Sequence, residues 1–106
     1  MENKNFFITP SSILPQEFFE KLIEEESFFV EKIISEGHAT PEGEWYDQDT
    51  TEFVMLLKGR AILEFEEGEK KEMVPGDYVT IPKNKKHRVS WTDPRQKTFW
   101  LAIHYK

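Results

Sequence analysis

Short runs of β-forming residues, broken at close intervals by Gly, Pro, Asn or Asp, constrain the fold of this 106-residue chain more than any other feature. Runs of four to nine residues bounded by such turn residues are typical of strands. Seven or eight short strands at this spacing predict an antiparallel barrel or sandwich. The predicted strands cover residues 28–35, 51–58, 60–66, 70–74, 78–81, 87–91 and 97–105.

The chain before residue 28 has a different pattern. Residues 6–8 are apolar and predict a short edge strand, while residues 15–26 begin with proline and carry apolar residues at helical spacing. We therefore expect a short amphipathic α-helix that packs on the outside of the barrel or serves a dimer contact. The chain length fits a single domain over residues 1–106, with the N-terminal strand and helix in 1–27 and the barrel in 28–106. The apolar residues of the predicted helix are Phe18, Phe19, Leu22 and Ile23.

Composition excludes several classes of function. The net charge of -6 argues against nucleic-acid binding, because neutralising phosphates requires clustered Lys and Arg, and the basic run 83–88 is short enough to be a solvated loop. The chain has no cysteine, so it forms neither disulfides nor thiolate metal sites. No stretch is long and apolar enough for a signal peptide or a membrane span. We expect a soluble cytoplasmic protein with no membrane partner.

Two polar side chains are predicted to point into the apolar interior. Strand alternation places Glu52 on one face with Val54, and His87 on one face with Val89. An ionised carboxylate inside a barrel is costly unless a cation or several donors compensate it. Two readings remain open: a metal or ligand site, or a Glu–His pair that only fixes the strand register.

The stretch 44–87 resembles the paired motifs of the cupin superfamily. Glu52 is followed after six residues by Gly59, as in the first motif. The second motif is matched by Gly76, Pro82 and His87, with Asn84 at a position where glycine is common. The resemblance covers about residues 30 to 105. It implies a small single-domain cupin: an all-β antiparallel double-stranded β-helix, or jelly-roll barrel, which in this superfamily usually holds a metal.

The histidine pair of the usual first motif is absent. Depending on the spacing, its positions fall on Tyr46 and Gln48 or on Trp45 and Asp47. The resemblance therefore implies either a divalent ion held by an altered set of oxygen and nitrogen donors, with Fe, Mn, Ni or Zn as candidates, or no metal at all. The candidate ligands are Gln48, Glu52, His87 and, from the preceding segment, His38.

Three further residues are candidates for the pocket. Tyr46 shares its parity with Gln48 and could act as a ligand or in proton transfer. Trp45 and Trp91 are expected to line the barrel mouth, which would suit a planar or apolar small molecule. His104 shares a strand face with Trp100, and we expect it to be packed or solvated rather than a ligand.

Three functional hypotheses follow, and the fold alone does not choose among them. The first is a metal-binding cupin that acts on a small organic molecule, as an oxygenase or an isomerase. The second is a metal-free binding or sensing module, in which Gln48 binds the ligand and Glu52 pairs with His87. The third is a structural protein with a filled barrel. The family resemblance also implies a homodimer.

Overall fold

Two antiparallel sheets enclose the interior in the computed structural model, which describes residues 1–106. The larger sheet has the strand order β1-β2-β8-β3-β6 and the smaller has the order β5-β4-β7. The predicted all-β jelly-roll architecture is confirmed, and no helix in the structure has the length and apolar character that crossing a membrane requires. The strands are β1 Phe18–Glu24, β2 Phe28–Ser35, β3 Thr51–Lys58, β4 Ala61–Phe65, β5 Lys70–Met73, β6 Tyr78–Ile81, β7 His87–Thr92 and β8 Thr98–Tyr105.

Strand β3 shows how the alternating sequence builds the interior. Its buried residues are Glu52, Val54 and Leu56, at every second position. Val54 and Leu56 belong to one apolar cluster with Leu63 and Phe65 of the facing sheet. Fully burying a side chain of this kind stabilises the fold by about 2 kcal/mol. The predicted inward direction of Glu52 is therefore confirmed, and its carboxylate lies next to this core.

Strand β8 lies in the middle of the larger sheet. It pairs along its whole length with β2 on one side and with β3 on the other. Beyond the buried start of the strand, the buried residues Trp100, Ala102 and His104 alternate with half-buried ones. In the β3–β8 register His104 is directly opposite Glu52.

The predicted N-terminal helix is wrong: residues Phe18–Glu24 form strand β1 at the edge of the larger sheet. Its apolar residues occur as two adjacent pairs four positions apart, a spacing that fits a helix face but does not require one. A short isolated helix is marginal, whereas pairing with β2 supplies a ladder of backbone hydrogen bonds to aromatic and β-branched residues. A register shift between Lys21 and Ile23 interrupts this ladder.

The predicted edge strand over residues 6–8 is also wrong. Phe6 and Phe7 lie in a turn, and both rings contact Phe99 at centroid distances of 6.4 and 5.3 Å. The N-terminal segment therefore covers the outer face of the larger sheet instead of extending it. Its apolar anchor is Leu14, which forms a second buried cluster with Ile34 and Phe99.

Buried or half-buried polar groups hold this N-terminal segment to the sheet. Lys32 is 5% exposed, and its ammonium donates a hydrogen bond to the carbonyl oxygen of Ile8 at 2.7 Å. The N–H of Leu14 donates to Glu36 Oε1 at 2.7 Å. Both bonds satisfy backbone groups of the N-terminal segment, at Ile8 and Leu14, which have no partner in a strand.

Replacing Lys32 with Met should loosen the N-terminal segment without unfolding the barrel. The thioether keeps most of the apolar length but loses the bond to Ile8, a change worth about 1 kcal/mol. We expect limited proteolysis to cut within residues 1–14 about fivefold faster, as the opening free energy falls. Lys86→Met, at an exposed position, is the control. Equal cleavage in both variants would show that Lys32 does not hold the segment.

Candidate functional site

A cavity of about 140 Å³ lies between the two sheets. Its walls are mainly apolar, and its polar end is formed by residues from β2, β3, β7, β8 and the segments before β1 and β3. The volume is close to the roughly 150 Å³ of an engineered cavity that binds benzene. The apolar wall residues include Ile33, Val54, Leu63, Ile81, Val89 and Trp100.

Glu52 is the centre of the polar end. Its side chain is 10% exposed, and Gln48 Nε2 donates a hydrogen bond to its Oε1 at 2.7 Å. His87 Nε2 lies 3.4 Å from the same oxygen, and His104 Nε2 lies 3.7 Å from the other oxygen. One buried carboxylate thus lies between two imidazoles that reach it from different strands.

The surroundings of Glu52 keep it ionised. Burial by itself would raise the pKa of the carboxyl, because it disfavours the charged form. The hydrogen bonds of His87 and Gln48, with the charge that His104 carries when it is protonated, outweigh burial, and the pKa is lowered. The carboxylate of Glu52 is therefore a fixed negative charge in the cavity.

The backbone determines which ring nitrogen of His87 carries a proton. Nδ1 lies 2.8 Å from the carbonyl oxygen of Lys85, which can only accept, so Nδ1 is the donor. Nε2 then faces the carboxylate of Glu52, and a neutral ring would place its lone pair against that negative charge. Burial lowers the pKa of His87, but pairing with Glu52 and the bond to Lys85 more than reverse this, and the net pKa is raised.

The pKa of His104 is shifted in the direction opposite to that of His87. Its ring stacks on Phe29 with centroids 4.4 Å apart, and its Nδ1 is 3.5 Å from Thr50 Oγ1. Burial lowers the pKa of His104; Glu52 raises it in part, and the positive charge of His87 lowers it further. The net pKa of His104 is lowered, which favours its neutral form, whereas the raised pKa of His87 favours the cationic form of that ring.

Two more carboxylates line the cavity, and the sequence reading did not select them. Glu31 on β2 places Oε1 4.0 Å from His104 Nε2, and Glu17 precedes β1. Burial, followed by the charge of Glu52, raises the pKa of Glu31. Glu31 lies two positions before the wall residue Ile33 and shares its strand face, so the parity argument that selected Glu52 would also have found Glu31.

Comparison with known proteins gives the family of this chain. The model of the family described as Cupin domain matches residues 33–104. This chain belongs to the cupin family. None of the curated proteins matches it.

Solved structures agree with this assignment. A protein of Ralstonia eutropha JMP134, provisionally named a mannose-6-phosphate isomerase, is 38% identical over 100% of this chain and 99% of that one, with a TM-score of 0.94. A cupin superfamily protein of Desulfitobacterium hafniense DCB-2 is 17% identical over 90% and 82% of the two chains, with a TM-score of 0.74. The polyketide cyclase RemF of Streptomyces resistomycificus is 20% identical over 99% and 79%, with a TM-score of 0.75. The last two likenesses show the fold alone.

The structure of this cupin brings some of the predicted site residues together. Gln48, Glu52 and His87 meet in the cavity, and Tyr46 lies at its rim, 42% exposed. The backbone of Tyr46 exchanges two hydrogen bonds with that of His87, at 2.7 and 3.1 Å. Burial, and after it the charge of Glu17, raises the pKa of the Tyr46 phenol, which therefore stays protonated.

Other predicted residues lie outside the cavity. Trp45 and Trp91 line a separate open hollow on the outer face of the smaller sheet. The reason is a bulge in β7: Val89 pairs with Leu63 and Trp91 with Ile62, so the residue between them has no partner and the alternation reverses. Trp91 consequently faces outward, and Val89 lines the cavity.

His38 is also remote from the cavity. Its Nδ1 accepts a hydrogen bond from the N–H of Glu36 at 2.9 Å, and its carbonyl oxygen accepts one from Thr92 Oγ1 at 2.6 Å. These contacts explain the position of His38 as part of the turn after β2. In its place His104, which we expected to be packed or solvated, reaches the cavity.

The cavity side chains, in the positions that they occupy, do not form the metal-binding site that the family resemblance implies. Imidazole nitrogen and carboxylate oxygen are suitable donors for Fe, Mn, Ni or Zn. No group of three His, Asp or Glu side chains is arranged to hold an ion, however. The two imidazoles face different oxygens of Glu52, and Gln48 turns its amide nitrogen, not its oxygen, toward the carboxylate.

Proposed function

We propose that this cupin binds a small organic molecule in the barrel cavity and transfers protons on it, with His87 as general acid and His104 as general base. The observation that carries the proposal is the placement of two imidazoles at the two oxygens of one buried carboxylate, all three groups lining the same cavity. The apolar walls would exclude water from a bound molecule, which strengthens the electrostatic interactions there.

Each polar group has a distinct role in this proposal. His104 Nε2 takes a proton from a carbon beside a carbonyl group of the ligand, while His87 gives its Nε2 proton to the carbonyl oxygen. In an α-hydroxycarbonyl ligand these transfers give an enediol. His87 then takes the proton of the hydroxyl group on the deprotonated carbon, and His104 returns its proton to the former carbonyl carbon, so the carbonyl group moves by one carbon without any oxidant or reductant. Glu52 orients both rings and stabilises the charge on His87. The opposite directions of the two imidazole pKa shifts support this division of roles.

The reaction class agrees with one comparison. The Ralstonia eutropha protein at 38% identity is provisionally named an isomerase of a sugar phosphate. The proposal shares the proton-transfer chemistry of an isomerase but not that substrate, since no Lys or Arg lines the cavity to bind a phosphate. A metal-dependent oxygenase or isomerase is the alternative that the family resemblance favours.

Hydrogen–deuterium exchange tests the proposal without knowledge of the natural substrate. Purified protein is incubated in D₂O with a panel of small hydroxyketones, hydroxyaldehydes and aldoses, and loss of C–H signals is followed by proton NMR. We expect catalysed exchange on at least one compound, reduced about a hundredfold in both His87→Gln and His104→Gln. His38→Gln, which alters a histidine outside the cavity, should behave as wild type.

Elemental analysis of the same samples distinguishes the metal-dependent alternative from the proposed metal-free mechanism. Near-stoichiometric Fe, Mn, Ni or Zn in wild type, lost together with exchange in Glu52→Ala, would replace the metal-free mechanism with a metal centre. Exchange that survives in both cavity-histidine variants, or no exchange on any compound, would refute the proposal.

A further inference from the structure

The cavity contains several negative charges and no permanent positive charge. Three carboxylates line it, those of Glu17, Glu31 and Glu52, and no Lys or Arg does. Its only cationic group is His87, whose proton is already paired with Glu52. A carboxylate that is removed from water without a partner cation is costly, so the unpaired members of this set need an explanation.

Glu31 is the carboxylate with the weakest compensation. Its side chain is 16% exposed, no protein group donates a hydrogen bond to it, and the nearest basic group, at 4.0 Å, is His104. Lys21, the nearby ammonium, lies over the ring of Phe29 and forms an ion pair with Glu24 at 2.8 Å. Lys21 is opposite Glu31 in the β1–β2 register and lowers the pKa of that carboxyl only in part, so Glu31 faces the cavity without an ion pair to a Lys or Arg.

Glu17 adds a second, partly satisfied carboxylate to the same wall. Its Oε2 accepts a hydrogen bond from the hydroxyl of Ser35, and its Oε1 accepts none. The aromatic rings of Phe19 and Trp100 complete this part of the lining. Faces of aromatic rings and free carboxylate oxygens both attract organic cations.

We propose that the cavity selects a small organic cation, such as a primary amine attached to an apolar body, over neutral and anionic molecules of the same shape. The inference rests on the proposed function, since it assigns a substrate class to the same cavity. The ammonium group would lie against Glu31 and Glu17, and the apolar body would contact walls such as Ile33. Phosphorylated and carboxylated molecules would be repelled by the same two groups.

Three probes of similar size test this selection: benzylamine, benzyl alcohol and benzoate, each close to the cavity in size. Binding to the wild-type protein is measured by isothermal titration calorimetry at pH 7 and low salt. We expect benzylamine to bind at least tenfold more tightly than benzyl alcohol, and benzoate to bind more weakly than either. Glu31→Gln should lower benzylamine affinity about tenfold and leave benzyl alcohol unchanged, because only the charge is removed.

Two controls locate the effect. Glu69→Gln makes the same charge change at an exposed position in the turn between β4 and β5 and should leave all three affinities as in wild type. Ile33→Trp narrows the cavity and should weaken benzylamine and benzyl alcohol together. Equal binding of the three probes, or a benzylamine preference that persists in Glu31→Gln, would overturn the selection while leaving a binding cavity. Binding of none would overturn it too, and the deuterium exchange measurement would still decide the proton-transfer function.

Discussion

Replacing Gly59 with alanine is expected to destabilise the fold by about 3 kcal/mol or more. Gly59 has φ +96° in the turn between β3 and β4, a conformation that strains any residue with a Cβ. A Cβ there would lie 2.3 Å from Thr98 Oγ1 and 2.6 Å from Thr98 Cα. The hydroxyl could rotate away, but the Cα belongs to the backbone of β8 and cannot, so overpacking adds to the strain.

Urea denaturation followed by tryptophan fluorescence measures this loss. Gly68→Ala is the matched control, because Gly68 has a similar φ of +102° but nothing within 4 Å of the added Cβ. Strain alone should make that variant about 1–2 kcal/mol less stable. Similar losses in the two variants would show that contact with Thr98 contributes nothing.

Replacing Glu52 with Gln is expected to lower the pKa of His87 and to remove a stability maximum in the weakly acidic range. The amide is nearly isosteric with the carboxylate but carries no charge, so the imidazolium loses the pairing that raises its pKa. We expect a loss of about 1–3 kcal/mol where the pair is fully charged. Proton NMR titration of the imidazole C–H signals gives the pKa, and urea denaturation gives the stability at each pH.

The signs of the two shifts define the pH window. Glu52 has a lowered pKa in the folded state, so its contribution is present above its ordinary value of 4.5 and is lost as pH falls through the folded pKa. His87 has a raised pKa, so its contribution is complete below 6.5 and is lost as pH rises through the folded pKa. The difference between wild type and Glu52→Gln should therefore be greatest between 4.5 and 6.5.

His104 has to be included in the same comparison. Its pKa is lowered, so it costs stability as pH falls below 6.5 in wild type. The loss of Glu52 lowers that pKa further, which adds to the deficit of the variant in acid. Glu64→Gln, which breaks a half-buried pair with Arg88, should leave both imidazole titrations unchanged. An unaltered His87 titration in Glu52→Gln would contradict the pairing.

Local parity was enough to predict part of the candidate site. Glu52 and His87 were found because alternation within a single strand determines the side to which each residue points. Trp91 was misplaced because one unpaired residue in β7 reverses that alternation, and neither a charge nor a glycine in the sequence marks the bulge. The segment Phe18–Glu24 was misread because its apolar spacing fits both helix and strand, and only the exposed edge of β2 decides between them.

The other residues of the candidate site could not be predicted, because they depend on contacts between segments that are distant in sequence. His104 and Glu31 have inward parity that the sequence shows, but their proximity to Glu52 depends on the strand order β2-β8-β3. No local pattern in the sequence predicts that β8 lies between β3 and β2, which are about 40 and 60 residues away from it along the chain. The strands could therefore be predicted individually, whereas the cluster of titratable groups required their arrangement.

The central position of β8 has a consequence for how the chain acquires its structure. β8 is synthesised after the other seven strands, and until it is present neither β2 nor β3 has its partner on that side. Before β8 is made, the larger sheet can form only two separate antiparallel pairs, β1–β2 and β3–β6, whose exposed edges promote misassociation between nascent chains. Because His104 belongs to β8, the polar end of the cavity and the continuous five-stranded sheet both depend on this strand, and a chain without it would have neither.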